Sequence, residues 1–204
     1  MRARLIEVKG SLSGAEEELI AEVVSRGGLI VFPTATVYGL GCAAQDREAI
    51  ARLYRLKRRE REKPLALHLG RVEDLFKYAL VGERERRWIE RLLPGPYTLI
   101  LRASRDAPPV AVRGGKVGAR VPASAAFQRI AAAAGVLLAG TSANRSGEPP
   151  ATSPEEAIEY FSDEVELIIT TNEPPSGRSS AVIDLTEATP KALRGELPGF
   201  EKHP

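Results

Sequence analysis

Short apolar runs bounded by proline, glycine or polar clusters constrain this chain most. LIVFP (residues 29–33) closes at Pro33, while LALHL (65–69) and VLLAG (136–140) are of similar length. Runs of this kind read as buried strands. ARLIEV (3–8), YTLILRA (97–103), VGARVP (117–122), ELIIT, AVIDL and KALRG extend the series. Helix signals fall between them. Ser13, with Glu16 three residues on, has the form of a capping box ahead of EEELIAEVVSR, which Gly27-Gly28 stops. Asp46 is placed to cap DREAIARLYRLKR and Ser124 a helix through FQRIAAAAG, while SPEEAIEYF carries proline at its first helical position. Two amphipathic segments, about 72–80 and 83–93, also read as helical, and a polar, glycine-containing loop follows LIVFP. Some strand connections are too short for a helix. The expected fold is α/β, with an open, twisted, mixed sheet and flanking helices. No linker divides the chain, so residues 1–204 read as one domain.

Composition removes several functions. The net charge is +2, so affinity for anions has to come from local clustering. A lone cysteine, Cys42, excludes an internal disulfide, and two histidines leave little for a zinc site, so no protein metal site is expected. The start, MRARLIEVKG, is too polar for a signal peptide, and no run nears the roughly 18 apolar residues that span a bilayer. A cytoplasmic protein without membrane contact is the reading. Neither glycine-rich phosphate loop pattern is present, and there is no G-x-S-x-G elbow.

Polar residues gather where strands end, the usual ligand position in open α/β sheets. Thr34 and Thr36 follow LIVFP, and their hydroxyls suit a small polar ligand or a capped turn. LKRREREKPLALHL (56–69) places Lys57 and Arg59 where Pro64 argues for a helix break, so that several cations enter one loop. Alternation puts Leu65, Leu67 and Leu69 on one strand face and Ala66 and His68 on the other. Arg120 sits inside a short apolar strand and wants an anion, either a bound carboxylate or an internal partner. Thr141, Ser142, Asn144, Ser146 and Gly147 form a loop able to hold phosphate or ribose. Ser179 and Ser180 precede AVIDL, and Arg194 follows KAL.

Eight blocks in this order, FPTATVYGLGC, the K-x-R of Lys57 and Arg59, PLALHL, PGPYTLIL, VGARVP, TSANRSG, SSAVID and LRG, resemble the YrdC-like family. The resemblance runs from about residue 14 to 195 and looks like the family's short form, without its extra C-terminal domain. It implies a positively lined cavity on an open α/β sheet. It also implies synthesis of threonylcarbamoyl-AMP and pyrophosphate from L-threonine, bicarbonate or CO2, and ATP, with Mg2+ accompanying ATP. The partner implied is a separate transferase that modifies adenosine 37 of tRNA, with weak tRNA binding as a further expectation.

Carried over by motif, Thr36, His68, Arg120, Gly140 and Ser180 fall on the threonine side, with Arg120 on the carboxylate. Lys57, Arg59, Lys63, Lys116, Ser142, Asn144, Pro150 and Arg194 fall on the ATP side. Lys57, Arg59 and Arg120 would do the positioning. Glu60 stands where the family often has proline, Lys63 where it often has asparagine, Ala35 where an acidic residue is common, and Ala181 where a hydroxyl is common. Two other functions are open: an RNA-binding module without catalysis, and a carbamoyl-adenylate-forming relative of the hydrogenase-maturation type. The stretch TNEPPSGRSS, reaching Ser180, has the composition of a lid.

Overall fold

A computed structural model describes residues 2–199. The chain opens with strand β1 (Arg4–Val8) and helix α1 (Gly14–Ser25), whose capping box between Ser13 and Glu16 is formed. Strands β2 (Ile30–Phe32) and β3 (Gly39–Ala43) lead to α2 (Arg47–Lys57), where the Asp46 carboxylate accepts from the backbone N–H groups of Glu48 and Ala49. Next come β4 (Ala66–His68), the single turn α3 (Leu75–Tyr78), β5 (Ala79–Leu80), α4 (Glu83–Leu92) and β6 (Tyr97–Ala103). Then follow β7 (Val112–Arg113), β8 (Lys116–Arg120), α5 (Ala125–Ala134), β9 (Leu138–Ser142) and α6 (Pro154–Phe161). Strands β10 (Leu167–Thr171), β11 (Ala181–Asp184) and β12 (Lys191–Arg194) complete the described elements.

The strands form one mixed sheet in the order β1-β10-β2-β3-β9-β4-β8-β6-β11-β12, with β5 beside β6 and β7 beside β8. The outer pairs β1–β10 and β10–β2 are parallel, as are β4–β8 and β6–β11. The pairs β2–β3, β3–β9, β4–β9 and β6–β8 are antiparallel. The expected open α/β sheet is therefore the fold found.

Alternation along the strands separates two faces. Leu67, Leu99, Leu101, Val117, Ala119 and Ile183 join one core with Leu53 of α2, Leu75 of α3, Ile89 of α4 and Phe161 of α6. On the opposite face, α1 and α5 cover the β1 end through Ile20, Val24, Phe127 and Ile130, packed on Ile6, Ile30, Phe32 and Ile169. Lys116, Gly118 and Arg120 of β8, Thr98 and Ile100 of β6, and Val182 and Asp184 of β11 point to this same side beyond α5, and there they line a cavity. One uncovered half-face of the sheet thus makes the hollow.

Three expectations shift. Residues 39–43, read as loop, form the interior strand β3. Its glycines hide it, because glycine weakens any strand pattern. They are required by packing: a Cβ on Gly41 would stand 2.9 Å from the Phe32 ring and 2.8 Å from the Ala139 carbonyl oxygen. The helix expected over 72–80 is one turn followed by β5, since Ala79 and Leu80 pair with the end of β6. The strand expected at 136–140 starts at Leu138 and continues through Ser142, because β9 is held between β3 and β4. No helix among the described residues is long and apolar enough to cross a membrane.

Candidate active site

The cavity holds about 520 Å³ and is bounded by β3, β4, β6, β8, β9, β11 and β12 with their loops. Five of its lining side chains are cations, Arg59, Arg113, Lys116, Arg120 and Arg194, against the single carboxylate of Asp184. Small residues make its floor. A Cβ on Gly140 would lie 2.8 Å from the Leu40 carbonyl oxygen and 3.3 Å from His68 Cε1.

Arg120 closes β8 and is 7% exposed. Its Nη2 donates to Thr36 Oγ1 at 3.0 Å, while its buried Nε–H has no partner among the described residues. No carboxylate among those residues pairs with it, so the internal ion pair left open by the sequence is not what holds this guanidinium. Burial, then the nearby Arg194 charge, lower its pKa to about 10, which leaves it cationic at neutral pH. The proton directions around it are determined. Thr34 Oγ1 donates to the Val37 carbonyl at 2.6 Å. A hydroxyl has one proton, so Thr34 must accept from Thr36 across their 2.9 Å contact. Arg120, Thr36, Thr34 and Val37 therefore form a one-way chain in which the guanidinium is the first donor and the Val37 carbonyl the last acceptor.

His68 is paired with Arg120 across β4 and β8 and is 3% exposed. Its ring meets Phe32 edge-on at 5.3 Å and Phe127 at 6.0 Å. Burial, then the Arg120 charge, lower its pKa to about 3, so it is neutral. Nδ1 lies 3.1 Å from the Ala66 carbonyl oxygen. A carbonyl only accepts, so Nδ1 carries the proton and Nε2 is an acceptor.

Ser180 joins the other side. Its hydroxyl is 3.0 Å from Thr98 Oγ1 and accepts from Arg194 Nη2 at 3.2 Å, while Arg194 Nε donates to the Ser180 carbonyl at 2.9 Å. Thr98 went unremarked in sequence, although strand alternation in YTLILRA sets it beside Ile100 on the cavity face. Asp184 and Arg113 were also unremarked, and no local pattern marks Arg113. The loop ahead of Ser180 is docked: Ser176 N donates to the Ala35 carbonyl and Gly177 N to that of Thr36, at 3.0 and 2.9 Å.

Of the residues expected around ATP, Arg59, Lys116, Ser142 and Arg194 line the cavity. Arg59 is aimed by donating to the carbonyls of Lys63 and Pro64. Lys57, Lys63, Asn144 and Pro150 are not among the residues that line the cavity, and neither is Thr36 from the threonine side. The helix ends at Lys57 with Arg58 in the left-handed region at φ 50°, so Lys57 and Arg59 make different contacts. The Lys57 ammonium is spent on the Ser142 carbonyl, the Asn144 carbonyl and Asn144 Oδ1, at 2.7, 2.9 and 2.6 Å. Lys63 is exposed and ion-paired with Glu60 at 3.1 Å. Among the described residues no group of three His, Cys, Asp or Glu gathers as a metal cage.

Residues 22–195 match the Sua5/YciO/YrdC family model, described as telomere recombination. The chain belongs to this family. A threonylcarbamoyl-AMP synthase of Pyrococcus abyssi is 36% identical over 198 residues, covering 95% of this chain and 58% of that protein. One of Thiobacillus denitrificans is 36% identical over 190 residues, covering 90% and 97%. The crystal structure of Pyrococcus abyssi Sua5 complexed with L-threonine superposes with a TM-score of 0.87 at 35% identity, covering 94% of this chain and 57% of that one. The chain thus spans less than two thirds of the Pyrococcus relative. The family resemblance read from the eight sequence blocks is borne out.

Proposed function

We propose that this chain is an L-threonylcarbamoyladenylate synthase, a nucleotidyltransferase. The observation that carries the reading is the buried Arg120 guanidinium, with an unsatisfied Nε–H and no carboxylate partner among the described residues, at the wall of a cation-lined cavity. Such a group suits the carboxylate of an amino acid, received by two N–H donors. Neutral His68 offers Nε2 as an acceptor for the hydroxyl or amine, Ser180 adds a hydroxyl, and Thr36 holds the Arg120 guanidinium from behind. The names of the relatives and the threonine in the Pyrococcus structure's title supply the substrate.

The chemistry asks mainly for placement and charge stabilisation. Threonine's amine adds to bicarbonate, giving a carbamate and water. A carbamate oxygen attacks the α-phosphorus of ATP, and the bond to the β-phosphate bridge breaks to release pyrophosphate. Arg59 and Arg194 are placed to offset the charge on the phosphates, with the Ser142 hydroxyl beside them. ATP would enter with Mg2+. The single lining carboxylate, Asp184, is committed to Lys116, so these residues supply no metal site of their own. The product would pass, in the cytoplasm, to a separate transferase acting on adenosine 37 of tRNA, with any direct tRNA contact being weak.

The test is pyrophosphate release from ATP and bicarbonate, with and without L-threonine, for wild type and Arg120→Ala. Threonine-dependent release lost in the variant supports the synthase. ATP binding with no release under any condition overturns it in favour of a binding module.

A further inference from the structure

The cavity is chemically lopsided. Four cavity-facing positions bring Arg120, Thr98, Ser180 and Arg194 together at one end. Lys116 is four residues from Arg120 on the same strand face, about 13 Å away at strand rise. There its ammonium meets the Asp184 carboxylate at 3.0 Å. Between the two ends the wall is apolar. Ile100 pairs with Gly118 on one side and Asp184 on the other. Gly118 keeps this strip flat: a Cβ there would stand 3.3 Å from Ile100 Cδ1. Val182 and Leu193 continue it. Phosphate at the cationic end and a flat apolar strip leading away match the span of a nucleoside, with its base edge at Asp184 and Lys116.

Asp184 is built to hold one orientation. Its Oδ1 accepts from Thr186 N at 2.9 Å and from Thr186 Oγ1 at 2.6 Å. Its Oδ2 accepts from Lys116 and keeps a second lone pair. Burial opposes its ionisation, but hydrogen bonds from Thr186 and Lys116 outweigh that and hold its pKa below the ordinary value. The far end of the cavity thus offers one fixed acceptor beside the Lys116 ammonium, with the Arg113 guanidinium next to Lys116 across β7 and β8.

Resting on the reading of ATP as substrate, we propose that Asp184, oriented by Thr186 and partnered by Lys116, reads the amino edge of the nucleobase. Adenine offers an amine to Oδ2 and a ring nitrogen to the ammonium. Hypoxanthine puts a carbonyl oxygen where the amine was, and that oxygen faces a carboxylate.

Calorimetric binding of ATP and inosine triphosphate to the full chain tests this, with wild type, Asp184→Asn and Thr186→Val. Wild type should prefer ATP by at least about tenfold, since a base that sets an acceptor against a partly buried, fixed acceptor is rejected. Asp184→Asn should erase or reverse the preference, because its amide can turn an N–H toward the carbonyl. Thr186→Val, which loosens the carboxylate, should fall between. A wild-type ratio within twofold overturns the proposal even if neither variant folds. So does Asp184→Asn weakening both nucleotides equally, which marks a merely structural residue. Intact ATP preference without threonine-dependent pyrophosphate release overturns the synthase reading instead and leaves the base reading standing.

Discussion

The Lys57 ammonium lies 2.6 Å from Asn144 Oδ1, and this contact ties the end of α2 to the loop that carries Ser142 into the cavity. The attachment is continued by Ser146 N donating to the Lys57 carbonyl at 2.9 Å and by Arg145 Nη1 donating to that of Leu56 at 3.1 Å. Lys57 works on the cavity through the loop.

Lys57→Met should remove the ammonium from three loop acceptors, of which Asn144 Oδ1 keeps the Ser142 hydroxyl and the Ser142 carbonyl keeps Asn144 N. We expect a stability loss of about 1–3 kcal/mol and a rise in the KM for ATP larger than that for threonine, measured by urea melts and steady-state rates.

The same lysine predicts an alkaline limb. Burial, then the Arg59 charge, lower its pKa to about 8. The neutral amine has two donors for three acceptors, so kcat/KM for ATP should fall as pH rises through 8. The sign for stability is opposite. Between pH 8 and the ordinary lysine value the unfolded chain binds the extra proton, so this group makes stability rise with pH. Lys57→Arg should move the activity limb upward. A limb that does not move assigns it elsewhere.

His68 titrates at about 3 when folded and near 6.5 when unfolded. The unfolded state therefore takes up the proton first on acidification, and stability falls as pH drops from 6.5 toward 3. At pH 5 the loss amounts to about 2 kcal/mol, at 1.36 kcal/mol per pH unit. The stability difference between pH 5 and 7, read from denaturant titrations, should shrink by about that amount in His68→Asn. The KM for threonine should carry no limb near 6.5.

Thr36→Val interrupts the donor chain that runs from Arg120 to the Val37 carbonyl. The guanidinium then has two unserved N–H groups and less hold on its rotamer. The KM for threonine should rise about tenfold, or about 1.4 kcal/mol, with that for ATP little changed. Equal effects on both substrates would count against a threonine-side role.

Gly140→Ala should be costly out of proportion to its size. Its methyl group meets the Leu40 carbonyl oxygen at 2.8 Å, which cannot move without disturbing β3, and His68 at 3.3 Å. We expect a loss of about 1–3 kcal/mol from overpacking, together with impaired threonine binding, read from a thermal melt and a threonine titration.

Much of this architecture is legible along the chain. The strands YTLILRA and AVIDL, the caps at Ser13, Asp46 and Ser124, the proline at the start of α6, and the cavity-facing side of β4 follow from alternation and short-range chemistry. Strand β3 escaped because its glycines answer to the Phe32 ring. Thr98 and Asp184 escaped because a hydroxyl or carboxylate inside a strand is ambiguous until the neighbouring strands are known.

Capping, alternation and proline restriction act over a few residues, so the kinds of element, their order and the chemistry each loop could offer can be read along the chain. Which charges share a space depends on the folded sheet. Arg120 and Thr36 are 84 residues apart, and Lys57 and Asn144 are 87 apart. Strand order and register bring each pair into contact, and the same packing put Arg59 on the cavity wall while Lys57 went to the loop oxygens. Long-range register is a property of the whole sheet, so no single motif could specify it.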